Sequence, residues 1–190
     1  MIGNRRRGRK LNIRAYCLVL AAFVLWPLAA FSETAAELDA HVADTLDAFE
    51  HEVKGARVFL DNAAGYLVFP RVIKVGVAIG GETGEGALIT GGKTVGYYRT
   101  VAGSFGFQLG AQAKSIVIAF MTQEALDQFR NSKGWKVGVD GSVALIDIGA
   151  GKSIDTSNIK DPVVGFVFGS KGLMYNLTLE GSKITKINKT

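Results

Sequence analysis

Residues 87–98 read ALITGGKTVGYY, and two incompatible structures compete for them. Ala87, Gly92, Lys93 and Thr94 satisfy the permissive phosphate-loop pattern of a small residue, four further residues and Gly-Lys-Thr. A working phosphate loop lies between a buried parallel strand and the helix whose N-terminus faces the phosphates. Here Val95-Gly96-Tyr97-Tyr98 follow, which are β-formers and a glycine where that helix should open. Ala87 to Thr90 is strand-like, so Gly91-Gly92 is a two-residue turn between antiparallel strands. The stretch is a hairpin, and no nucleotide is expected. Val143-Ala144-Leu145-Ile146-Asp147 imitates the apolar strand and Asp that would hold magnesium, but Asp147 falls in an alternating β pattern.

The same texture extends both ways. Tyr66 to Phe69 predicts a short strand closed by Pro70, and Val72 to Thr100 is β-like between many glycines. Ser104 to Gln112 and Lys114 to Phe120 make a further pair of β segments. Val137 to Ile148, Val163 to Phe168, Leu173 to Leu179 and Lys183 to Ile187 predict the remaining strands, with turns at 169–172 and 180–182. From residue 33 onward there are 22 glycines in 158 residues, about twice the usual frequency. Glycines within strands mark bulges and close backbone approach, so the sheet is expected to be strongly curved or barrel-like.

Helices frame this sheet. Thr34 and Glu37 fit a capping box, and Leu38, Val42, Leu46, Phe49 and Val53 form one apolar stripe. That helix should end near Lys54, with Gly55 in the left-handed position beyond it. Asp39, Asp44, Asp47, Glu50 and Glu52 occupy its other face, an acidity that argues against a membrane-surface helix. A second short helix is predicted over Ala56 to Ala63, stopping at Gly65. A third, capped by Thr122, runs through Asn131, with Leu126 and Phe129 facing inward and Gly134 ending it. The fold class is therefore α+β: a glycine-rich, strongly curved or barrel-like antiparallel sheet with N-terminal helices and one inserted helix.

Residues 1–32 read as a signal peptide. Arg5, Arg6, Arg7, Arg9, Lys10 and Arg14 precede an apolar run from Ala15 to Phe31, and small residues at Ala30 and Ser32 suit cleavage between Ser32 and Glu33. A retained single-pass anchor is the alternative, although a 17-residue run is at the short limit for a bilayer span. The full chain holds 22 basic and 17 acidic residues, and residues 1–32 hold six of the basic ones and none of the acids. That leaves 16 basic against 17 acidic residues, a net charge of −1 from Glu33 onward. The basic isoelectric point belongs to the leader, so no nucleic-acid partner is expected. Cys17, the only cysteine, also lies in the leader, which excludes disulfides and thiol catalysis downstream. Residues 33–190 form one domain, with 33–64 helical and 65–190 mainly β.

No catalytic constellation emerges. GVAIGGETGEG, residues 76–86, does not place a Gly-x-Gly-x-x-Gly at a helix start. Glu82 and Glu85 are candidate acid and base or calcium ligands, although a solvated loop carboxylate is the commoner role. His41 and His51 stand ten residues apart, a spacing that does not place them on one helix face to share a metal. Ser104, Ser115, Ser142 and Ser153 lack a nucleophile elbow. Asp140 and Asp147 complete the acidic candidates. The chain is expected to have no enzymatic activity, no cofactor and no metal.

The stretches YLVFPRVIKVGVAIGGETGEGAL, GGKTVGYY, SFGFQLGAQAKS, FMTQEALDQFRNSKGW, GVDGSVALIDIGAG and PVVGFVFGSKGLMYNLTLEGSKITKI carry a resemblance to the SYLF lipid-binding domain family, over about Ala56 to Ile187. A leader directly before the domain is similar to the family's bacterial, exported branch. The resemblance implies a non-enzymatic domain that binds anionic lipid or a membrane surface, exported to the periplasm or secreted. Eukaryotic relatives carry a Src-homology-3 domain and bind phosphoinositides and actin, so an envelope protein partner is the alternative. The basic candidates for lipid contact are Lys54, Arg57, Arg71 and Lys74, near the junction of helices and sheet. Each near-surface cation contributes about 1 kcal/mol at an anionic membrane.

Overall fold

In the computed structural model, the hairpin predicted at Gly91-Gly92 organises the sheet of the domain. The structure describes residues 33–147, 160–171, 179 and 181–190, with side chains at 76–79, 104–111, 147, 170 and 171 outside the description. The proposed leader with Cys17, Ser153, and residues 173–178 of the strand predicted from Leu173 to Leu179 lie outside the described residues. Two long strands flank the turn, β1 (Gly65–Thr90) and β2 (Lys93–Phe120), paired antiparallel from Thr90↔Lys93 out to Gly65↔Phe120. Gly91 and Gly92 have φ of 57° and 73°, the left-handed pair that a two-residue hairpin turn requires.

Three helices accompany the sheet: α1 (Ala35–Glu52), α2 (Ala56–Asp61) and α3 (Gln123–Asn131). Four shorter strands complete it: β3 (Trp135–Lys136), β4 (Ala144–Asp147), β5 (Val163–Lys171) and β6 (Lys183–Ile187). The strand order is β3-β6-β2-β5-β4, with β1 on β2. Together they form a curled half-barrel sheet in an α+β fold, as expected. One pairing departs from the antiparallel expectation, because β4 runs parallel to β5.

Strict alternation gives the sheet two buried faces. Leu67, Phe69, Ile116, Ile118 and Phe120 enter an inner cluster with Leu126 and Phe129 of α3 and with Trp135. Val68, Val117 and Ala119 enter an outer cluster beneath Leu38, Val42 and Phe49 of α1 and Phe59 of α2. Phe129 is the hub of the inner cluster, its ring centroid 4.8 Å from Phe120, 4.9 Å from Tyr98 and 5.6 Å from Trp135. In the outer cluster Phe166 lies 5.1 Å from Phe49 and 4.9 Å from Phe59.

The curl needs glycine at one place above all. A Cβ on Gly86 would stand 2.2 Å from the Val68 carbonyl oxygen, and one on Gly84 would stand 2.7 Å from that of Arg71. The late part of β1 thus crosses against its own beginning, backbone to backbone. No side chain fits between them.

The predicted boundaries shift in four places. Pro70 does not close a strand: β1 runs through it, because the register slips between Phe69 and Val72 and a bulge needs no ladder donor there. Ser115 Oγ donates to the freed Pro70 carbonyl at 2.9 Å. Ser104 to Gln112 and Lys114 to Phe120 are parts of the single strand β2. Val137 to Ile148 is not one strand, since Gly138 takes φ 84° and its N–H donates to the Gly141 carbonyl at 2.9 Å. Asp140 closes that turn by accepting from the Lys136 N–H at 2.6 Å. The first helix ends at Glu52, and Gly55, at φ 90°, caps the start of α2 instead.

The capping box forms as predicted. Glu37 N–H donates to Thr34 Oγ1 at 3.2 Å, and Thr34 N–H donates to Glu37 Oε2 at 2.8 Å. Thr122 caps α3 through the Ala125 N–H.

Candidate functional site

The four basic residues singled out by sequence fall in two different environments. Lys54 is exposed in the turn between α1 and α2, Arg57 is exposed on the first turn of α2, and Arg71 is exposed on β1 at the bulge. Lys74, three residues on, is buried, with only 7% of its surface exposed. The bulge explains the difference: beyond it the even-numbered residues of β1 point inward with Val72.

Arg57 borders a cavity of about 440 Å³ between the end of α1, α2 and the hairpin turn. Leu46, Leu60 and Tyr66 supply apolar wall, and Glu50 and Asp61 join Arg57 as its charged groups. The guanidinium lies 3.4 Å from Glu50 and 3.5 Å from Asp61. Those two carboxylates, Glu50 foremost, raise the Arg57 pKa further above its ordinary value. Burial pushes the Tyr66 hydroxyl up as well. The ion pairs are open to water and strongly screened. Two acids around one cation leave the cavity without excess positive charge. Lys54 and Arg71 make no ion pair among the described residues.

Lys74 belongs to a second group that sequence reasoning did not assemble. Glu82, Thr100, Gln112 and Lys114 are each at most 6% exposed. They lie on the two long strands, Lys74 facing Gln112 and Val72 facing Lys114 across the ladder. Lys114 Nζ lies 2.9 Å from Glu82 Oε1. Glu82 is therefore a buried ion-pair partner and not a solvated loop carboxylate. The signal was present in the period-two pattern, because Lys74, Glu82 and Lys114 share the inward phase of Val72, Leu88 and Ile116.

Glu85 is also drawn into contacts, away from any loop. Arg99, its cross-strand partner, reaches it with Nη2 at 2.5 Å, and Lys189 Nζ lies 2.5 Å from its other oxygen. Burial pushes the Glu85 pKa up, but hydrogen bonds from Lys189 and then Arg99 outweigh it and hold the group below the usual carboxylate range. Glu82 and Glu85 are an odd number of residues apart on one strand, hence on opposite faces. They do not converge on one bond as acid and base.

The other candidates have structural partners. Asp39 accepts from Thr94 Oγ1 at 3.0 Å and from Tyr97 Oη at 2.9 Å, tying α1 to the start of β2. His41 Nδ1 contacts Glu33, and His51 Nδ1 lies 2.8 Å from the Asp47 carbonyl oxygen. Asp140 closes the turn described above, and the Asp147 side chain lies outside the described residues. No group of three or more His, Cys, Asp or Glu suited to a metal occurs among the described residues.

With this geometry in place, one family comparison bears on the C-terminal part of the chain. Residues 101–190 match the model of Ysc84, described as Las17-binding protein actin regulator. This segment is similar to the Ysc84 (SYLF) family. The Ysc84 segment begins within β2 and runs through α3 to β6, so it includes Gln112 and Lys114 of the buried polar group. The Ysc84 family is one of lipid- and actin-binding domains, a binding family and not a known enzyme family. No curated protein matches the chain.

Proposed function

We propose that the chain is a non-enzymatic, exported lipid-binding domain that docks on anionic phospholipid at the cell envelope, with residues 1–32 as its signal peptide and 33–190 as one domain. The observation that carries this reading is the Ysc84 segment, whose family binds lipids and actin-patch proteins. The surface supports it modestly. Lys54 and Arg71 are exposed cations without an acidic partner among the described residues, whereas Arg57 is shared between Glu50 and Asp61. Two uncommitted cations supply about 2 kcal/mol at an anionic surface, so attachment is weak and salt-sensitive. Flotation with liposomes containing phosphatidylglycerol or a phosphoinositide tests this. The expected result is association at low salt that weakens in the double variant K54Q/R71Q. Absence of flotation at low salt refutes it.

The family description favours a second reading, an envelope protein-interaction module. A stable protein partner recovered by cross-linking, together with liposomes that bind nothing, would decide for it.

A further inference from the structure

The cavity between the end of α1, α2 and the hairpin turn carries charge of the sign opposite to the docking cations proposed above. Its two helices present matched faces to it: Leu46 and Glu50 stand four residues apart on α1, and Arg57, Leu60 and Asp61 fall within one turn of α2. Tyr66 and the backbone of Gly91 and Gly92 complete the wall. About 440 Å³ of space is far more than a water or an ion needs and is of the size that holds small molecules.

Two carboxylates and one guanidinium line this space, a net charge of −1. Arg57 does not cancel the acids closely. Its contacts of 3.4 Å to Glu50 Oε1 and 3.5 Å to Asp61 Oδ1 are longer than the roughly 2.7–2.9 Å of a charge-assisted hydrogen bond, whereas Arg99 meets Glu85 at 2.5 Å. Arg57 is a loose bridge that contacts one oxygen of each carboxylate, and each carboxylate has a second oxygen with which to accept. Tyr66 feels the imbalance: beside burial, Asp61 and Glu50 push its hydroxyl pKa up against the opposing pull of Arg57.

We propose that this cavity binds an alkylammonium group, with Glu50 and Asp61 accepting from the ammonium and Leu46, Leu60 and Tyr66 covering the stem that carries it. The surplus negative charge disfavours an anion and is left unanswered by a neutral ligand. A bare metal ion would use none of the apolar wall. An ammonium suits the two acids better than a second guanidinium, because it is compact and its three donors are not held in a planar fork. The group comes either from a free amine or from the lysyl side chain of an extended peptide. This reading does not rest on lipid docking: the amine binds whether or not the chain attaches to liposomes.

The test is nuclear magnetic resonance titration of the full-length protein with butylamine, read at the amides of Gly65, Gly91 and Gly92, and separately with the tripeptide acetyl-Ala-Lys-Ala-amide. Saturable one-to-one binding at millimolar concentration is expected of so small a ligand. E50Q/D61N should weaken it at least about tenfold, the loss expected when charge-assisted hydrogen bonds are removed. R57Q should tighten it by about two- to fivefold, the range of an exposed charge pair, because it removes a competing cation. E124Q, which removes an exposed acid on α3, should change nothing. A merely structural role for the three side chains would not move binding in opposite directions. Tripeptide binding at least tenfold tighter than butylamine assigns the site to a lysyl side chain, and any smaller preference assigns it to a free amine. Should E50Q/D61N not fold, R57Q carries the test alone, since Arg57 is largely open to solvent. The proposal is overturned if neither probe gives saturable shifts, if E50Q/D61N binds as tightly as wild type, if R57Q fails to bind more tightly, or if butanol binds as well as butylamine.

Discussion

Replacing Glu82 with glutamine removes one charge and almost no volume, so it isolates the buried ion pair with Lys114. The pair is short at 2.9 Å, and the Lys114 and Glu82 side chains are 2% and 7% exposed. Water cannot compensate the ammonium that E82Q leaves behind, and Lys74 already adds a second cation on the same inner face. Breaking a buried pair from one side costs about 3–5 kcal/mol. That is a large share of the roughly 5–15 kcal/mol that a domain typically has. At about 2–4 °C per kcal/mol for a domain of this size, the melting temperature should fall by about 6–20 °C. Thermal unfolding followed by circular dichroism, with urea unfolding as a second measure, reads this directly. E82L/K114M, which removes both charges, should recover most of the loss, because apolar replacement of a whole buried pair is often neutral or better. A loss below about 1 kcal/mol for E82Q, the size expected of a solvent-exposed pair, would refute the reasoning.

The same packing governs three further outcomes. Gly86→Ala places a Cβ 2.2 Å from the Val68 carbonyl oxygen and should cost at least about 1–3 kcal/mol in urea unfolding, while Gly103→Ala, with nothing within 4 Å, should change little. Phe129→Ala empties the centre of an aromatic cluster and should cost about 3–5 kcal/mol, with loss of the near-ultraviolet dichroism of Trp135. Glu85 has a folded pKa below that of the unfolded chain, so its contribution is present at neutral pH and is lost as pH falls through the folded value. E85Q should flatten the acid side of the stability profile, measured as the urea midpoint against pH.

The parts of the fold legible in the sequence were those written in local chemistry. Gly91-Gly92 between β-formers specifies a turn type, and Thr34 with Glu37 specifies a helix start, so both were readable from a few residues. Pro70 misled because a proline stops a regular ladder but fits a bulge, and the bulge depends on Ser115 and the register of β2. The break after Val137 was masked by apolar residues on both sides of an Asp-Gly turn. The inner polar group was half legible: the phase of Lys74 and Lys114 could be counted, but the pairing of Lys114 with Glu82 depends on how the hairpin curls. The same curl sends Lys74 inside while Arg71 remains on the surface, a separation that four nearby basic residues in the sequence do not reveal.

The long hairpin also sets an order of events for folding. Thr90↔Lys93 closes across two residues, Gly65 and Phe120 lie 55 residues apart, and Tyr97 pairs with Ile187 across 90. Loop-closure entropy favours the shortest connection first, so pairing begins at the turn and zips outward, each rung shortening the loop for the next. A Gly91→Val variant, forced to hold φ near 57°, should therefore slow folding while leaving unfolding nearly unchanged, a division that stopped-flow kinetics would resolve. The pairing of β6 with β2 would then be the last to close. Until it does, the chain presents the β2 edge at Tyr97–Val101 unpaired, the point at which a second unfolded copy could add a strand.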